Sequence, residues 1–128
     1  YTPISTPEMF LVRAECNARL TTGNLTSAIN DVNTIRMNRY KTGTYTPLVA
    51  SGMNQTSVLN EVLLERRREL YGKELRLFDD KRLGLPVAHV QPGTQIKNLN
   101  VPANDPKLVF PIFYEYINLN PEIAQNPR

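Results

Sequence analysis

Two residues, Gly23-Asn24, separate two stretches that each carry apolar side chains at helical spacing. In the first, Phe10, Leu11, Ala14 and Ala18 share one face; in the second, Leu25, Ala28, Ile29, Val32 and Ile35 do. Recurrence at three and four residues marks an amphipathic helix. So short a connection predicts an antiparallel helix hairpin. Thr6-Pro7-Glu8 reads as the start of the first helix, with a cap hydroxyl, a proline where no N–H is needed, and an acid at the positive dipole end. Gly23 reads as its stop and Asn24 as the cap of its successor. Ala14 and Ala18 are small enough for a further helix to approach closely.

The Gly23-to-Ala28 spacing is that of the turn and second helix of a tetratricopeptide-type repeat. One such hairpin cannot close its own core and needs neighbours. Residues 41–55, KTGTYTPLVASGMNQ, have no period and read as a loop. A third helix follows, capped by Thr56 or Ser57, with Leu59, Val62, Leu63, Arg66 and Leu70 on one stripe. Gly72 interrupts the pattern. A fourth helix, about 73–83, is predicted to carry Leu75, Phe78 and Leu83 inward and to stop at Gly84-Leu85-Pro86. Beyond residue 85 lie seven of the ten prolines. That region reads as loop with short extended pieces at Val109-Phe110, a turn at Asn104-Asp105-Pro106 and one helical turn near residues 114–117. The fold class is mainly α: about four helices in tetratricopeptide-like hairpins, then a Pro-rich, largely irregular tail. The divisions are 1–40 hairpin, 41–55 loop, 56–84 helix pair and 85–128 tail.

Residues 61–84 concentrate charge, with seven basic and six acidic side chains in 24. Net charge is +3, yet Arg66-Arg67-Arg68 is flanked by Glu65 and Glu69. Alternating signs mark a salt-bridged helix face rather than a nucleic-acid footprint, which needs unneutralised basic clusters. Arg66 falls within an apolar stripe and therefore needs a carboxylate partner. Glu69, Glu15, Asp79 and Asp80 are the candidates; Arg36 raises the same demand on the second helix. The predicted structural ion-pair network is Arg66, Glu69, Arg76, Asp79, Glu15 and Arg36. A catalytic acid/base pair among Glu65, Glu69, Glu74, Asp79 and Asp80 is the competing reading. Interleaved arginine favours ionised carboxylates over a poised acid, which argues against it.

Other chemistry has little footing. One cysteine, Cys16, and one histidine, His89, cannot build a zinc site by themselves, and His89 reads as a surface residue. No Gly-rich phosphate loop occurs, and no cofactor is expected. Asn24-Leu25-Thr26 and Asn54-Gln55-Thr56 fit the glycosylation sequon. Tyr40, Tyr45, Phe113, Tyr114 and Tyr116 are candidates for a sugar-stacking platform, although Phe113 and Tyr116 read first as tail packed on helices.

Two stretches together resemble the SusD/RagB family of outer-membrane nutrient-binding lipoproteins. One is Glu65-Arg66-Arg67-Arg68-Glu69-Leu70 followed by Arg76, Asp79, Arg82 and Gly84. The other is Asn104-Asp105-Pro106, Pro111-Ile112, Asn120-Pro121 and Gln125-Asn126-Pro127. The hairpin is similar as well, through Arg13-Ala14-Glu15, Asn33, Ile35 and Arg36. Gly72-Lys73-Glu74 and Phe113 depart from the family's usual residues. The resemblance implies a single C-terminal portion, residues 1–128, of a larger SusD-like protein that is not an enzyme. It implies a surface lipoprotein of the outer membrane, lipid-anchored through an upstream segment, so that mid-helix Cys16 is not the anchor. Its partners would be a glycan or peptide ligand, a TonB-dependent (SusC-like) transporter and the remainder of its own polypeptide. The loops 41–55 and 85–105 would face ligand or transporter. The alternative is a free-standing tetratricopeptide-like interaction adaptor.

Overall fold

A computed structural model describes residues 4–89 and 99–127. The chain divides into two compact units, Tyr1–Glu74 and Leu75–Arg128. The boundary falls within the segment read as one helix pair.

The first unit holds α1 (Thr6–Arg19), α2 (Leu25–Met37) and α3 (Gln55–Glu69), each packed on the other two. The hairpin forms as the stripes require. Ala14 and Ala18 of α1, Ala28, Ile29 and Val32 of α2, and Val58 and Val62 of α3 form the buried core. Leu11 is also fully buried. Alanines at the contact let the helix backbones approach, and the β-branched side chains fill the remaining space. Five residues, 20–24, link the hairpin. Gly23 is needed there for space: a Cβ would lie 1.9 Å from the Asn17 carbonyl oxygen.

Two caps differ from the sequence reading. α1 is capped by Ser5, with Thr6 already helical; the Ser5 hydroxyl makes no cap bond and instead accepts from Lys73 Nζ at 2.8 Å. α3 is capped by Asn54, whose side-chain oxygen accepts from the Ser57 N–H at 2.8 Å, so the helix starts ahead of Thr56. Asn24 caps α2 in the same way, through the Ser27 N–H at 2.9 Å. Both sequon asparagines are thus helix caps. On α3 the buried stripe is Val58, Val62, Glu65, Arg66 and Leu70, with Leu59 and Leu63 at its margin.

The 41–54 connection has no regular structure but is fastened to α2. The Asn33 side chain donates to the Leu48 carbonyl and accepts from the Leu48 N–H, both at 2.9 Å, and also accepts from the Tyr45 hydroxyl. Leu48, Ala50 and Met53 pack against the core.

The second unit begins with α4 (Arg76–Arg82), shorter than predicted. Left-handed backbone at Gly72 (φ 78°) and Glu74 (φ 58°) keeps residues 70–75 out of the helix. Phe78 was predicted inward and is 58% exposed; the buried side of α4 is Asp79 and Asp80. Gly84 (φ 61°) ends the helix as expected. A two-stranded antiparallel ribbon then pairs β1 (Val87–His89) with β2 (Leu99–Val101) in the register Val87↔Val101. Asp105 caps a 3-10 turn over Pro106–Leu108, accepting from the Lys107 N–H at 2.8 Å. Val109 is extended but in no strand. α5 (Tyr114–Leu119) follows and buries no side chain. Of the 85–105 loop, residues 90–98 lie outside the described residues, as does the side chain of His89.

Candidate functional site

The sequence nominated an arginine–carboxylate cluster. Its centre is the α2–α3 contact. Arg36, in the last turn of α2, is 8% exposed. Its Nε donates to Glu65 Oε2 at 2.8 Å and its Nη2 to Glu61 Oε2 at 3.0 Å. Glu61 and Glu65 are four residues apart, one helical turn, so a single guanidinium fork spans both. Burial opposes the Arg36 charge, but the hydrogen bonds and charges of the two glutamates outweigh it and raise the guanidinium pKa above its ordinary value. Arg68 Nη1 reaches the same Glu65 oxygen at 3.5 Å. One turn further along, Arg39 grips both oxygens of Glu69, at 2.9 and 2.5 Å. The hydrogen bonds and charge of Glu69 raise the Arg39 pKa.

Arg66 is buried, as its place in the stripe demanded. Its Nη2 lies 3.7 Å from Glu8 Oε1, so α1 contributes a carboxylate through its first turn. Glu69, one of the candidate partners of Arg66, has both oxygens on Arg39. Glu15 is buried and accepts from Arg19 Nε at 2.8 Å. The α1–α2 contact has a bridge that the sequence reading missed: Arg13 donates to Asp31 at 2.9 and 2.6 Å, while its guanidinium lies 5.0 Å from the Phe10 ring centroid. In the second unit Arg76 pairs with Asp80 at 2.7 Å and Arg82 with Asp79 at 2.8 Å. The nominated residues therefore form several local pairings, and Glu8, Asp31, Arg39, Glu61 and Glu65 are members the sequence did not assign to them. Glu61 and Glu65 carried a legible signal, four-residue spacing on one helix opposite a buried arginine. Asp31 and Arg13 carried none, because their pairing depends on how α1 sits across α2.

Open grooves border the hairpin. One, about 310 Å³, is lined by Thr6, Pro7, Phe10, Thr34, Ile35, Asn38 and Arg39. Another, about 360 Å³, is polar and lined by Arg13, Asn17, Ser27, Asn30 and Asp31. Among the described residues no group of three or more His, Cys, Asp or Glu side chains is placed to hold a metal. None of their helices is long and apolar enough to cross a membrane. The aromatic candidates fall into two sets. Tyr40 and Tyr45 are paired at 5.1 Å between ring centroids, at the foot of the 41–54 loop. Phe113, Tyr114 and Tyr116 belong to the tail; Phe113 and Tyr116, expected to pack, are 71% and 63% exposed.

The arrangement is a framework of fastened helices carrying loops. Neither the search of curated proteins nor that of solved structures returns a match. The family model described as the SusD family matches residues 6–128. The chain belongs to the SusD family.

Proposed function

We propose that this chain is part of a cell-surface protein that binds a nutrient, a glycan or a peptide, and delivers it to a TonB-dependent outer-membrane transporter. The observation that carries the reading is the family match over residues 6–128. SusD family proteins are binding proteins with a nutrient-binding role in outer-membrane uptake. The geometry supports a non-catalytic part in that role. Glu61, Glu65 and Glu69 all hold arginines, and a carboxylate so engaged has the acceptor-only chemistry of a fastener. The ion pairs set the helices, and Asn33 holds the 41–54 loop on them. On this reading the protein is lipid-anchored at the outer membrane through a segment upstream of these residues.

The test is a glycan and peptide binding screen on the full-length protein, with affinity purification of the tagged protein from detergent-solubilised outer membranes. Saturable binding of one ligand class and a transporter in the eluate are the expected results. Substrate turnover, or a transporter absent from the eluate, overturns the reading.

A further inference from the structure

The polar groove lies on the seam between α1 and α2. Arg13 and Asn17 stand one turn apart on α1, and Ser27 and Asp31 one turn apart on α2, so each helix lines it with a polar pair. Asn30 completes the lining. Its volume of about 360 Å³ is that of a small-ligand site, roughly 300–1,000 Å³.

The state of its polar groups separates it from the rest of the hairpin. Five asparagines lie on the two helices and their caps: Asn17, Asn24, Asn30, Asn33 and Asn38. Three are committed to the fold. Asn24 accepts from the Ser27 N–H, Asn33 clasps Leu48, and Asn38 donates to the Thr34 carbonyl at 2.7 Å. The two that line the groove, Asn17 and Asn30, make no side-chain hydrogen bond to any described residue, and neither does the Ser27 hydroxyl. Beside these uncommitted groups sits a fixed pair. Asp31 is buried, and each of its oxygens takes one bond from Arg13, which leaves each a second acceptor site. The Nη1 amino group of Arg13 is not used by Asp31, and the Arg13 side chain is 64% exposed.

Charge and shape select the ligand. Arg13 and Asp31 cancel, and the other three lining side chains are neutral, so the groove has no net attraction for a phosphate or a carboxylate. A single carboxylate is too few for a hard cation, which takes several oxygen ligands. What remains is a set of donors and acceptors at close quarters, the complement of neighbouring hydroxyls. A smaller recess of about 190 Å³, lined by Met9, Phe10 and Arg13, shares Arg13 with the groove. The Arg13 guanidinium lies 5.0 Å from the Phe10 ring centroid. A polar groove beside an apolar wall matches a sugar ring, with hydroxyls at its rim and C–H groups on its faces. An extended peptide is matched less well, because it docks on a sheet edge or in apolar pockets for its side chains.

We propose that the α1–α2 seam is a binding site for a neutral sugar, separate from the loops. Asn17, Ser27 and Asn30 read its hydroxyls, the Arg13–Asp31 pair anchors it, and Phe10 meets its apolar face. The hairpin is then a contact surface as well as a support. This rests on the nutrient-binding reading given above, which supplies the occasion for a sugar to meet this chain.

The test titrates the full-length protein, in a calorimeter, with neutral hexasaccharides of glucose, mannose, galactose and xylose and with a mixture of hexapeptides. Expected is saturable binding of one hexasaccharide. In the double variant Asn17→Ala, Asn30→Ala a binding step should be lost or weakened at least ten-fold, with the unfolding midpoint unchanged, since neither amide is bonded within the fold. Asn30→Trp fills the groove from an exposed position and should weaken the same step at least ten-fold; it decides the matter alone should the double variant fold poorly. A folded variant of either kind that keeps every wild-type binding step at full affinity overturns the groove and leaves the functional reading standing. A wild-type protein that binds hexapeptides and no hexasaccharide overturns the sugar site and again leaves that reading standing. A wild-type protein that binds neither overturns both.

Discussion

The two units of this chain solve the problem of order differently. In the first, seven small and β-branched side chains are sealed between three helices, and the charges beside them are buried in matched pairs. In the second, α5 buries nothing, and the tail keeps its course through side-chain amides on backbone groups. The first unit is set by an apolar core, although Ile4, Val49 and Tyr71 are exposed on it. The tail differs, with polar clasps setting the path and aromatic rings on display. The contrast teaches that order has two sources here: a sealed apolar core in the first unit, and side-chain amides on backbone groups in the tail.

The largest effect should come from breaking the buried pairing of the first unit. Glu65→Ala leaves Arg36 buried with one of its two carboxylates gone, and removing one partner of a buried pair costs about 3–5 kcal/mol. Chemical denaturation of the full-length protein should show this as a lower midpoint. Replacing Arg36 by Met and Glu65 by Leu together should restore most of the loss, because both deeply buried charges are then gone and Glu61, left without Arg36, reaches solvent. A double variant no better than the single one would mean that the pair contributes more than it costs.

Next comes the core itself. Val62→Ala removes two methyl groups from a fully buried site and should cost about 2–3 kcal/mol, from transfer and cavity together. Asn33→Ala strips three hydrogen bonds from the base of the 41–54 loop and should cost about 1–3 kcal/mol. Its readout is local: backbone amide exchange at Leu48 should speed up while α1 amides stay protected. If α1 exchange rises equally, the loop is part of the cooperative core rather than a layer fastened onto it.

Much of the first unit was legible in the sequence because its physics is local. Helical period, the Asn24 cap and the short link specify a hairpin before any tertiary contact exists, and Arg66 in an apolar stripe announces a buried charge. Partner identity was not legible. Arg36 meets Glu61 and Glu65 because α3 lies across α2, and Arg66 meets Glu8 because the start of α1 does. Crossing geometry is decided by packing, which a periodicity does not encode. The inward reading of Phe78 failed for a related reason. Left-handed residues 72 and 74 delay α4, and its buried side is taken by Asp79 and Asp80. In the tail, Gln125-Asn126 was legible as a motif, but its role as a clasp on Ile112 and Phe110 depends on a return of the chain from residues thirteen and sixteen positions earlier.

The smallest effect is the sharpest for the comparison. Tyr116→Ser in the full-length protein should change its stability by less than about 0.5 kcal/mol, since a ring 63% exposed loses little contact on removal. Val62→Ala removes far fewer atoms and should cost several times more. That inversion, a large aromatic lost at almost no cost beside two methyls lost at great cost, is what distinguishes a displayed surface from a core. Denaturation midpoints of the two variants, measured side by side, decide it. Should Tyr116→Ser prove as damaging as Val62→Ala, the ring is buried in the full-length protein, and the tail is core by another route. Should it be silent, the tail holds its course without this ring, through the Gln125 and Asn126 clasps.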